Sequence, residues 1–489
     1  MKLKLSALAL ALVAMSAAHA GTPITPAQAS AAAAAGNAIY VSGSSALRFS
    51  MAAAFLQACD LTTATVFGNG TGAVAAGNNV RAYACTLSQN IAAPGGATAF
   101  TQGTTVVFSK YDAGGSINGI QPLVLNTALS YLNFSSCQAT SLVRSGSFDL
   151  TQIDYACAQG NTVVPQMGVS DVEAATLQNK NNLPTGTSAV STGNLLGGVH
   201  SVAMGAVAVN LTLYRALQAA QGLTQDDAVA HAPSIPASFL TTVESGNAST
   251  LGGTGWTELI PSDGSGLATD SAAQAVLLCS RTNGSGTKAM HNAYLLSNPC
   301  SGQGLPSVGG ATSSQTGPVV AGNGDFVYTL NTSTGNVVSC LAAANTSTAT
   351  LSPQGQTLYE NWAVGMIGAE QSPFNAAGTT DAGWRFVAVS GTYPSRANAQ
   401  TGAYPMTFEN YMYWPKSLTG APAAFAKWLQ STAVNPPALQ AAALVDPGTG
   451  QGILASTNID ITAYQPAQAA FVAKTTRNGS SCAPQQLVQ

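Results

Sequence analysis

The sequence is short of charged side chains: Asp, Glu, Lys and Arg make up 7% of its 489 residues, against roughly a quarter in ordinary globular proteins. The formal net charge is −3, so nothing in the composition implies a basic surface that binds nucleic acid or an anionic membrane, and we expect neither partner. Gly, Ala, Ser, Thr and Asn fill the surface instead, as is common in secreted and cell-surface proteins. Any charged residue beside a glycine turn is therefore conspicuous.

Catalytic and metal-binding signatures are also missing from the sequence. The chain has four histidines, and none is spaced with cysteines as a metal site requires. There is no nucleophile elbow, kinase motif set or paired-carboxylate arrangement. We therefore expect a protein that is not an enzyme and needs no cofactor or metal, with His291 as a surface or packing residue of a helix.

Residues 1–20 have the pattern of a secretory signal. Lys2 and Lys4 precede an apolar run, and small residues ending at Ala20 follow it. Cleavage is expected after Ala20, where no cysteine stands to carry a lipid anchor, and no later apolar run is long enough to cross a membrane. We expect an exported protein, periplasmic or extracellular at the cell surface, with residues 21–37 as a mobile low-complexity leader.

The even number of cysteines suits an oxidising compartment and predicts four disulfides. Pairing between sequence neighbours would close short loops, although the spacing alone leaves the connectivity open. We favour Cys279–Cys300, which a short helical hairpin could bring together, and we expect residues 123–165 to form a disulfide-closed insertion. The cysteines are Cys59, Cys85, Cys137, Cys157, Cys279, Cys300, Cys340 and Cys482.

Strand patterns alternate with helix patterns along the chain, which indicates an α/β protein with a parallel or mixed sheet. The length allows two or three domains. Two units stand out, each an apolar run followed by a small-residue turn and a helix. One begins at Ala38 and passes through SGSSA; the other follows the run 273–278 and passes through RTNGSGT at 281–287.

The second turn carries the groups that hold a tetrahedral oxyanion. The first N–H groups of a helix have no partner inside the helix, its N-terminus is positive, and Arg281 adds a guanidinium. Taken alone, this stretch also fits a Ser/Gly helix cap beside a solvated arginine. Asp171, which follows the short run QMGVS, likewise fits either a ligand contact or a helix N-cap.

Five segments, in this order, resemble the phosphate-binding protein of bacterial phosphate ABC importers and its wider family of periplasmic binding proteins. IYVSGSSA is similar to the family's first anion loop, GVSD to its Gly-x-Ser-Asp, and RTNGSGT to its Arg-x-Asp-Gly-Ser-Gly-Thr. The resemblance covers most of residues 38–430. The five segments are 39–46, 168–171, 239–259, 281–287 and 391–406.

The resemblance implies an α/β fold of the two-lobed type II periplasmic binding protein class, with mixed sheets, a hinge and disulfide-containing insertions. The implied boundaries are 38–200 for lobe 1 with a return at 402–470, 201–401 for lobe 2, and 471–489 for a C-terminal tail. The hinge crossings would lie close to 196–204 and 400–406.

The resemblance also implies that the lobes close on inorganic phosphate. Asp171 favours phosphate in particular, because phosphate near neutral pH keeps a proton that a carboxylate can accept and sulfate does not. The protein would act as a monomer that serves an ABC importer permease. The implied phosphate contacts are Ser45, Ala46, Ser116, Asp171, Arg281, Ser285, Gly286 and Thr287.

Two positions depart from the family pattern. Asp112 stands before the second glycine turn, where the family has a serine, so either Ser116 supplies the hydroxyl or Asp112 faces away from the anion. Asn283 replaces an aspartate, and the loss of that negative charge should ease anion capture. Arg48 and Lys110 flank the glycine turns and could either add positive charge to the cleft or be solvated.

The alternative function is that of a secreted surface or matrix protein that keeps this fold for adhesion or assembly. The low charge, the disulfide-containing insertions and the missing lipid anchor favour this alternative. The retained anion-loop residues favour the phosphate receptor.

Overall fold

The computed structural model describes residues 21–70, 79–141, 148–247, 255–265, 270–309, 319–321, 326–345, 362–374, 380–445, 452–457 and 461–488. The predicted signal at 1–20 lies outside these ranges. Within them, the helices are all too short or too polar to cross a membrane.

The described chain consists of many short strands and helices, with runs of successive strands at 65–111 and 129–170. The strands are β1 Ala38–Gly43, β2 Thr65–Gly68, β3 Val80–Thr86, β4 Ile91–Ala92, β5 Thr98–Phe100, β6 Thr105–Tyr111, β7 Leu129–Leu132, β8 Gln138–Ala139, β9 Tyr155–Ala156, β10 Gln159–Val163, β11 Met167–Ser170, β12 Leu195–Asn210, β13 Ser234–Ile235, β14 Val276–Arg281, β15 Val319–Ala321, β16 Phe326–Asn331, β17 Trp362–Gly368, β18 Trp384–Phe386, β19 Ala388–Val389, β20 Thr407–Pro415, β21 Ile453–Ala455, β22 Thr475–Thr476 and β23 Gln486–Leu487. The α-helices are α1 Pro26–Ala34, α2 Arg48–Leu56, α3 Gln121–Leu125, α4 Ala174–Leu177, α5 Leu211–Ala220, α6 Ala237–Glu244, α7 Gly286–Leu295, α8 Thr334–Ala343, α9 Arg396–Gln400, α10 Gly420–Trp428, α11 Pro436–Val445 and α12 Pro466–Ala469.

One large mixed sheet organises the fold, and β12 divides it into two halves. The first part of β12, up to Met204, pairs antiparallel with β20, and the part from Gly205 onward pairs antiparallel with β17. In the first half β1 lies parallel to β6 and β11. In the second half β14 lies parallel to β16 and β17. The structure confirms the predicted two-lobed α/β class with mixed strand directions.

Each half of the sheet has its own aromatic core. In the first half, Phe55 from α2 stacks on Phe108 of β6, and α10 adds Phe425. In the second half, Trp256 packs between Phe239 of α6 and Trp362 of β17. Strands β1 and β14 are buried along their whole length, as expected of parallel strands covered on both faces.

The expectation of a mobile leader at 21–37 is wrong, because this segment contains helix α1. Thr25 forms a capping box with Gln28, and proline stands at the start of the helix. Ala29 and Ala32 are buried in the cluster that contains Phe67 of β2. An alanine-rich sequence is a strong helix former, so its low complexity did not indicate disorder here.

The eight cysteines form four disulfides, as predicted. Cys137–Cys157 closes the predicted insertion. The favoured pair Cys279–Cys300 is wrong: Cys279 lies inside the buried strand β14 and bonds to Cys340 of α8, which packs on that strand. Cys300 comes after the end of α7, where the C-terminal segment reaches it. The four bonds are Cys59–Cys85, Cys137–Cys157, Cys279–Cys340 and Cys300–Cys482.

Candidate functional site

Four loops that follow the carboxyl ends of strands meet at one buried place. They follow β1, β6 and β11 of the first half of the sheet and β14 of the second half. We name this place the four-loop site and define it as residues 43–47, 112–117, 170–172 and 281–287. The carboxyl edge of an α/β sheet is a usual place for a ligand, because loops from neighbouring strands converge there.

Asp171, directly after β11, is the centre of the four-loop site. Its side chain accepts hydrogen bonds from the hydroxyl of Ser44 and, at 3.3 Å, from the hydroxyl of Thr287. Its backbone N–H donates to the hydroxyl oxygen of Ser116 at 3.1 Å. Burial raises the pKa of Asp171, and the bond from Ser44 and the charge of Arg281 oppose that rise. The three hydroxyl groups thus come from three different loops.

The first loop leaves β1 at a glycine that the packing requires. Gly43 has φ +110°, and a Cβ atom on it would lie 2.1 Å from the carbonyl oxygen of Val169 in β11. The loop can therefore run close to Asp171, and it leads directly into α2.

The second and fourth loops touch each other, which joins the two halves of the sheet across the site. The N–H of Ile117 donates to the carbonyl oxygen of Gly284 at 3.0 Å. Gly115 has φ +75°, and a Cβ atom on it would meet the same oxygen at 3.0 Å. The paired glycines in the two turns permit this approach.

The fourth loop opens α7. Ser285 is the N-cap, and its side chain accepts a hydrogen bond from the N–H of Lys288 at 3.2 Å. A Cβ atom on Gly286 would lie 2.4 Å from the hydroxyl oxygen of Ser116 and 2.8 Å from a carboxylate oxygen of Asp171. The stretch therefore caps a helix, as one of the two interpretations expects, and it places that helix end against Asp171; the arginine of that interpretation is buried and not solvated.

Backbone N–H groups without an acceptor among the described residues lie in the loops around Asp171. The N-terminus of α2 and the N-terminus of α7 both reach the site, and each brings a positive helix end. Among the residues that the structure describes, several N–H groups of the site have no acceptor, and five of these belong to residues predicted to contact phosphate. The five residues are Ser45, Ala46, Ser116, Gly286 and Thr287.

Arg281 is buried at the end of β14 and is held by neutral oxygens. Its guanidinium donates to the carbonyls of Asn331 and Thr332 and to the hydroxyl of Thr334, at 3.2, 3.3 and 2.8 Å. It forms no ion pair within 4 Å in the described ranges. Burial lowers the pKa of Arg281 to about 10, while the negative charges of Asp171 and Glu370 oppose this.

Asp112 is neutralised by two cations, which resolves the question that the sequence left open. Its carboxylate accepts hydrogen bonds from Arg48 and Lys110, each at 2.5 Å. Neither basic residue is solvated: Lys110 is wholly buried and Arg48 nearly so. Ser116 is the residue of this loop whose hydroxyl meets Asp171.

The structure brings most of the predicted site residues together and adds one that the sequence analysis missed. The hydroxyl of Ser44 contacts Asp171. Ser45, a predicted phosphate contact, is only partly buried, and its N–H group belongs to the same loop. Two adjacent serines follow Gly43, and no sequence signal separates them. Asn283 donates to the carbonyls of Asn181 and Leu183, so it packs the loop.

Histidines and metal ligands play no part in this arrangement. His291 is buried in α7, with its ring nitrogens 2.7 Å from the carbonyl oxygen of Thr287 and 3.2 Å from that of Ala206. It is therefore a packing residue that holds α7 against β12. No group of three or more His, Cys, Asp or Glu side chains in the described part of the chain could hold a metal ion.

No protein-family model matches this chain, and no curated protein matches it either. Among solved structures it is similar to a protein from Clostridium perfringens described as a candidate phosphate ABC transporter substrate-binding protein, with bound phosphate. The identity is 12%, the match covers 84% of this chain and 99% of that chain, and the TM-score is 0.40.

Two further solved structures are similar over a smaller part of the chain. An ABC-type phosphate transport receptor from Vibrio cholerae has 11% identity, with 59% of this chain and 80% of that chain covered and a TM-score of 0.28. PstS from Borrelia burgdorferi has 11% identity, coverage of 57% and 78%, and a TM-score of 0.27. These TM-scores are all below 0.5, so we infer function from the residues of this chain.

Proposed function

We propose that this chain is an exported binding protein that captures inorganic phosphate at the four-loop site. One observation carries the proposal: the buried carboxylate of Asp171 meets three hydroxyl-bearing loops and two helix N-termini, and the charge of Arg281 acts on it. N–H donors, hydroxyls and an arginine are the groups that bind a tetrahedral oxyanion. Ser45, Ala46, Ser116, Ser285, Gly286 and Thr287 complete the proposed contacts.

Asp171 gives the site its selectivity for an anion that carries a proton. A carboxylate among the donors can accept a hydrogen bond from the P–OH group of phosphate. Sulfate at neutral pH has no such proton, so its oxygens would face the carboxylate as one acceptor against another. Arsenate has the same shape and protonation as phosphate and would be poorly excluded.

The two halves of the sheet would act as lobes that close on the anion. We propose lobe 1 at 38–200 with its return at 402–470, and lobe 2 at 201–401, with the hinge in the connecting segments. The closed arrangement, in which Ile117 donates to Gly284, supports this proposal. The bound anion would then be delivered by a monomeric receptor to an ABC importer permease.

Calorimetry on refolded, phosphate-stripped protein tests the proposal. We expect one phosphate site per chain and no competition from sulfate. Tight sulfate binding would contradict the selectivity argument, and the absence of any oxyanion binding would contradict the proposed function.

A second candidate is a secreted surface or matrix protein that uses the fold for adhesion or assembly. The 7% content of charged residues and the four disulfides favour it, because both suit a protein exposed outside the cell. The same calorimetry separates the candidates, since this one requires no oxyanion binding.

A further inference from the structure

Lys110 has an unusual position behind the first loop of the four-loop site. It lies in β6, its side chain has no exposed surface, and its ammonium group donates to three oxygen atoms. These are the carbonyl oxygens of Gly43 and Ser44, at 3.3 and 2.8 Å, and a carboxylate oxygen of Asp112, at 2.5 Å. An ammonium group has three N–H donors, so Lys110 has none left to contact a ligand directly.

The bond from Lys110 to Ser44 determines where the next N–H group points. In a planar trans peptide the C=O and N–H bonds lie on opposite sides. Because the carbonyl of Ser44 points at Lys110, the N–H of Ser45 points away from Lys110. That N–H has no acceptor among the described residues, and it belongs to the loop whose Ser44 hydroxyl meets Asp171.

Asp112 holds Lys110 in place and is itself held by a second cation. Its side chain is fully buried, and its other carboxylate oxygen accepts a hydrogen bond from Nε of Arg48. A buried charge is tolerated when it is paired and hydrogen-bonded. The carboxylate of Asp112 is the charged, hydrogen-bonded partner of Lys110. Removal of either cation leaves Asp112 with one partner, so neither change strands a buried carboxylate.

We infer that Lys110 is a positioning residue that turns the N–H group of Ser45 into the anion site, with Asp112 as its support. This inference rests on the proposed function. It gives the departure from the family pattern at Asp112 a role: the carboxylate supports the first loop from behind and does not face the anion.

The test compares Lys110→Met with Arg48→Met by phosphate calorimetry. Both substitutions remove one positive charge from the same buried group, and each leaves Asp112 one cation. Only Lys110→Met releases the carbonyls of Gly43 and Ser44. We expect phosphate binding to weaken by about tenfold or more in Lys110→Met and by about threefold at most in Arg48→Met.

A spectroscopic measurement separates positioning from a general loss of structure. With ¹⁵N-labelled serine, the amide signal of Ser45 should shift on phosphate addition in the parent and in Arg48→Met, but not in Lys110→Met. A Ser45→Ala variant identifies the signal. If Lys110→Met does not fold, Lys110→Gln and Arg48→Gln form the matched pair. Lys110→Gln keeps one N–H-bearing group of two donors in place of three, so it should still lose more phosphate affinity than Arg48→Gln.

Equal losses in the matched variants would overturn the inference, because charge alone would then explain the effect. Parent-like binding by Lys110→Met, or an unchanged Ser45 response in it, would also overturn it. In both cases the parent still binds phosphate, so the proposed function stands. A parent that binds no phosphate would overturn the proposed function, and the inference with it.

Discussion

Arg281 and Arg385 are both buried arginines in the second half of the sheet, yet their surroundings differ in charge. Arg385 in β18 contacts the carboxylates of Asp227 and Asp381 at 2.8–2.9 Å. Burial lowers the pKa of Arg385, but its hydrogen bonds to Asp381 and Asp227 outweigh this effect and raise it above its usual value. Arg281 contacts only neutral oxygens, and its pKa falls to about 10.

The difference indicates which arginine is available to a ligand. A buried charge without an opposite partner costs free energy. A protein with an unpaired buried cation is therefore stabilised when an anion binds beside it. Arg385 already has its anions and acts within the fold. Arg281 ends the strand whose following loop opens α7, and it keeps its charge uncompensated by any ion pair in the described residues. A bound oxyanion would supply the missing partner.

The largest expected effect comes from removing each arginine in turn. Arg281→Ala should weaken phosphate binding by at least about tenfold, since a charge-assisted bond contributes about 1.5–3 kcal/mol and one decade of affinity is about 1.4 kcal/mol. Arg281→Lys should recover only part, because an ammonium cannot hold two oxygens in a plane. Arg385→Ala should bind phosphate normally and lower the melting temperature. Calorimetry measures the affinities. If Arg281→Ala binds phosphate like the parent, residues 281–287 only cap a helix and do not bind the anion.

Gly286→Ala tests the four-loop site while both arginines stay in place. Gly286→Ala puts a Cβ atom where Ser116 and Asp171 lie within 3 Å, so the loops cannot meet and the anion contacts are lost together. We expect phosphate affinity to fall about tenfold. The matched control is Gly96→Ala, because a Cβ atom there meets nothing. Equal affinities of the two variants would show that the four loops do not form the site.

A rival explanation is that Asp171 serves Arg281 as a counter-ion, as Asp381 serves Arg385. Asp171→Asn separates these roles. If Asp171 selects a protonated anion, the variant should lose several-fold in phosphate affinity and gain measurable sulfate binding, because the amide can donate to an oxygen. Competition calorimetry with both anions provides the readout. A variant that loses stability while its anion preference stays unchanged would support the counter-ion explanation.

The smallest expected effect is on the pH dependence of stability, which should differ between the region of His291 and the region of Arg385. Burial lowers the pKa of His291 beside the site to about 4, below about 6.5 in an unfolded chain. Its contribution to stability is therefore complete above pH 6.5 and is lost as pH falls toward 4, by about 1 kcal/mol per pH unit. Bonding to Arg385 lowers the pKa of Asp381 to about 2, so that region loses stability only below about pH 3.8.

Melting temperatures between about pH 7 and about pH 3 check these windows. His291→Gln should reduce the loss of stability in the upper window and leave the lower window unchanged, whereas Arg385→Ala should reduce the loss in the lower window. His200, whose pKa burial also lowers to about 4, adds to the upper window in every variant. An unchanged upper window in His291→Gln would contradict the burial argument.

The strand–turn–helix units could be predicted from sequence because their determinants are local. Arg281 ends a strand, Ser285 caps the next helix, and the glycines between them permit the turn. Proximity in space could not be derived in the same way. Cys279 bonds to Cys340 and not to Cys300, because α8 packs on β14 and nothing near Cys279 in the sequence reports that contact.

Side-chain direction was the other limit. Ser44 and Ser45 carry the same hydroxyl group, so the sequence does not show which one contacts Asp171. The path of the chain after Gly43 brings the hydroxyl of Ser44 to Asp171. The partner Arg48 of Asp112 could not be predicted from the sequence, because Arg48 reaches Asp112 from another element. Lys110, two residues earlier and near the end of β6, was the available signal, since residues two apart in extended chain share a face.

A crystal structure of the protein grown with phosphate tests the central claim most directly. We predict a tetrahedral anion at the four-loop site, with the guanidinium of Arg281 and the N–H groups of Ser45 and Thr287 as donors and Asp171 accepting the proton of the anion. Phosphate bound elsewhere, or a four-loop site that stays without an anion at saturating phosphate, would contradict the account.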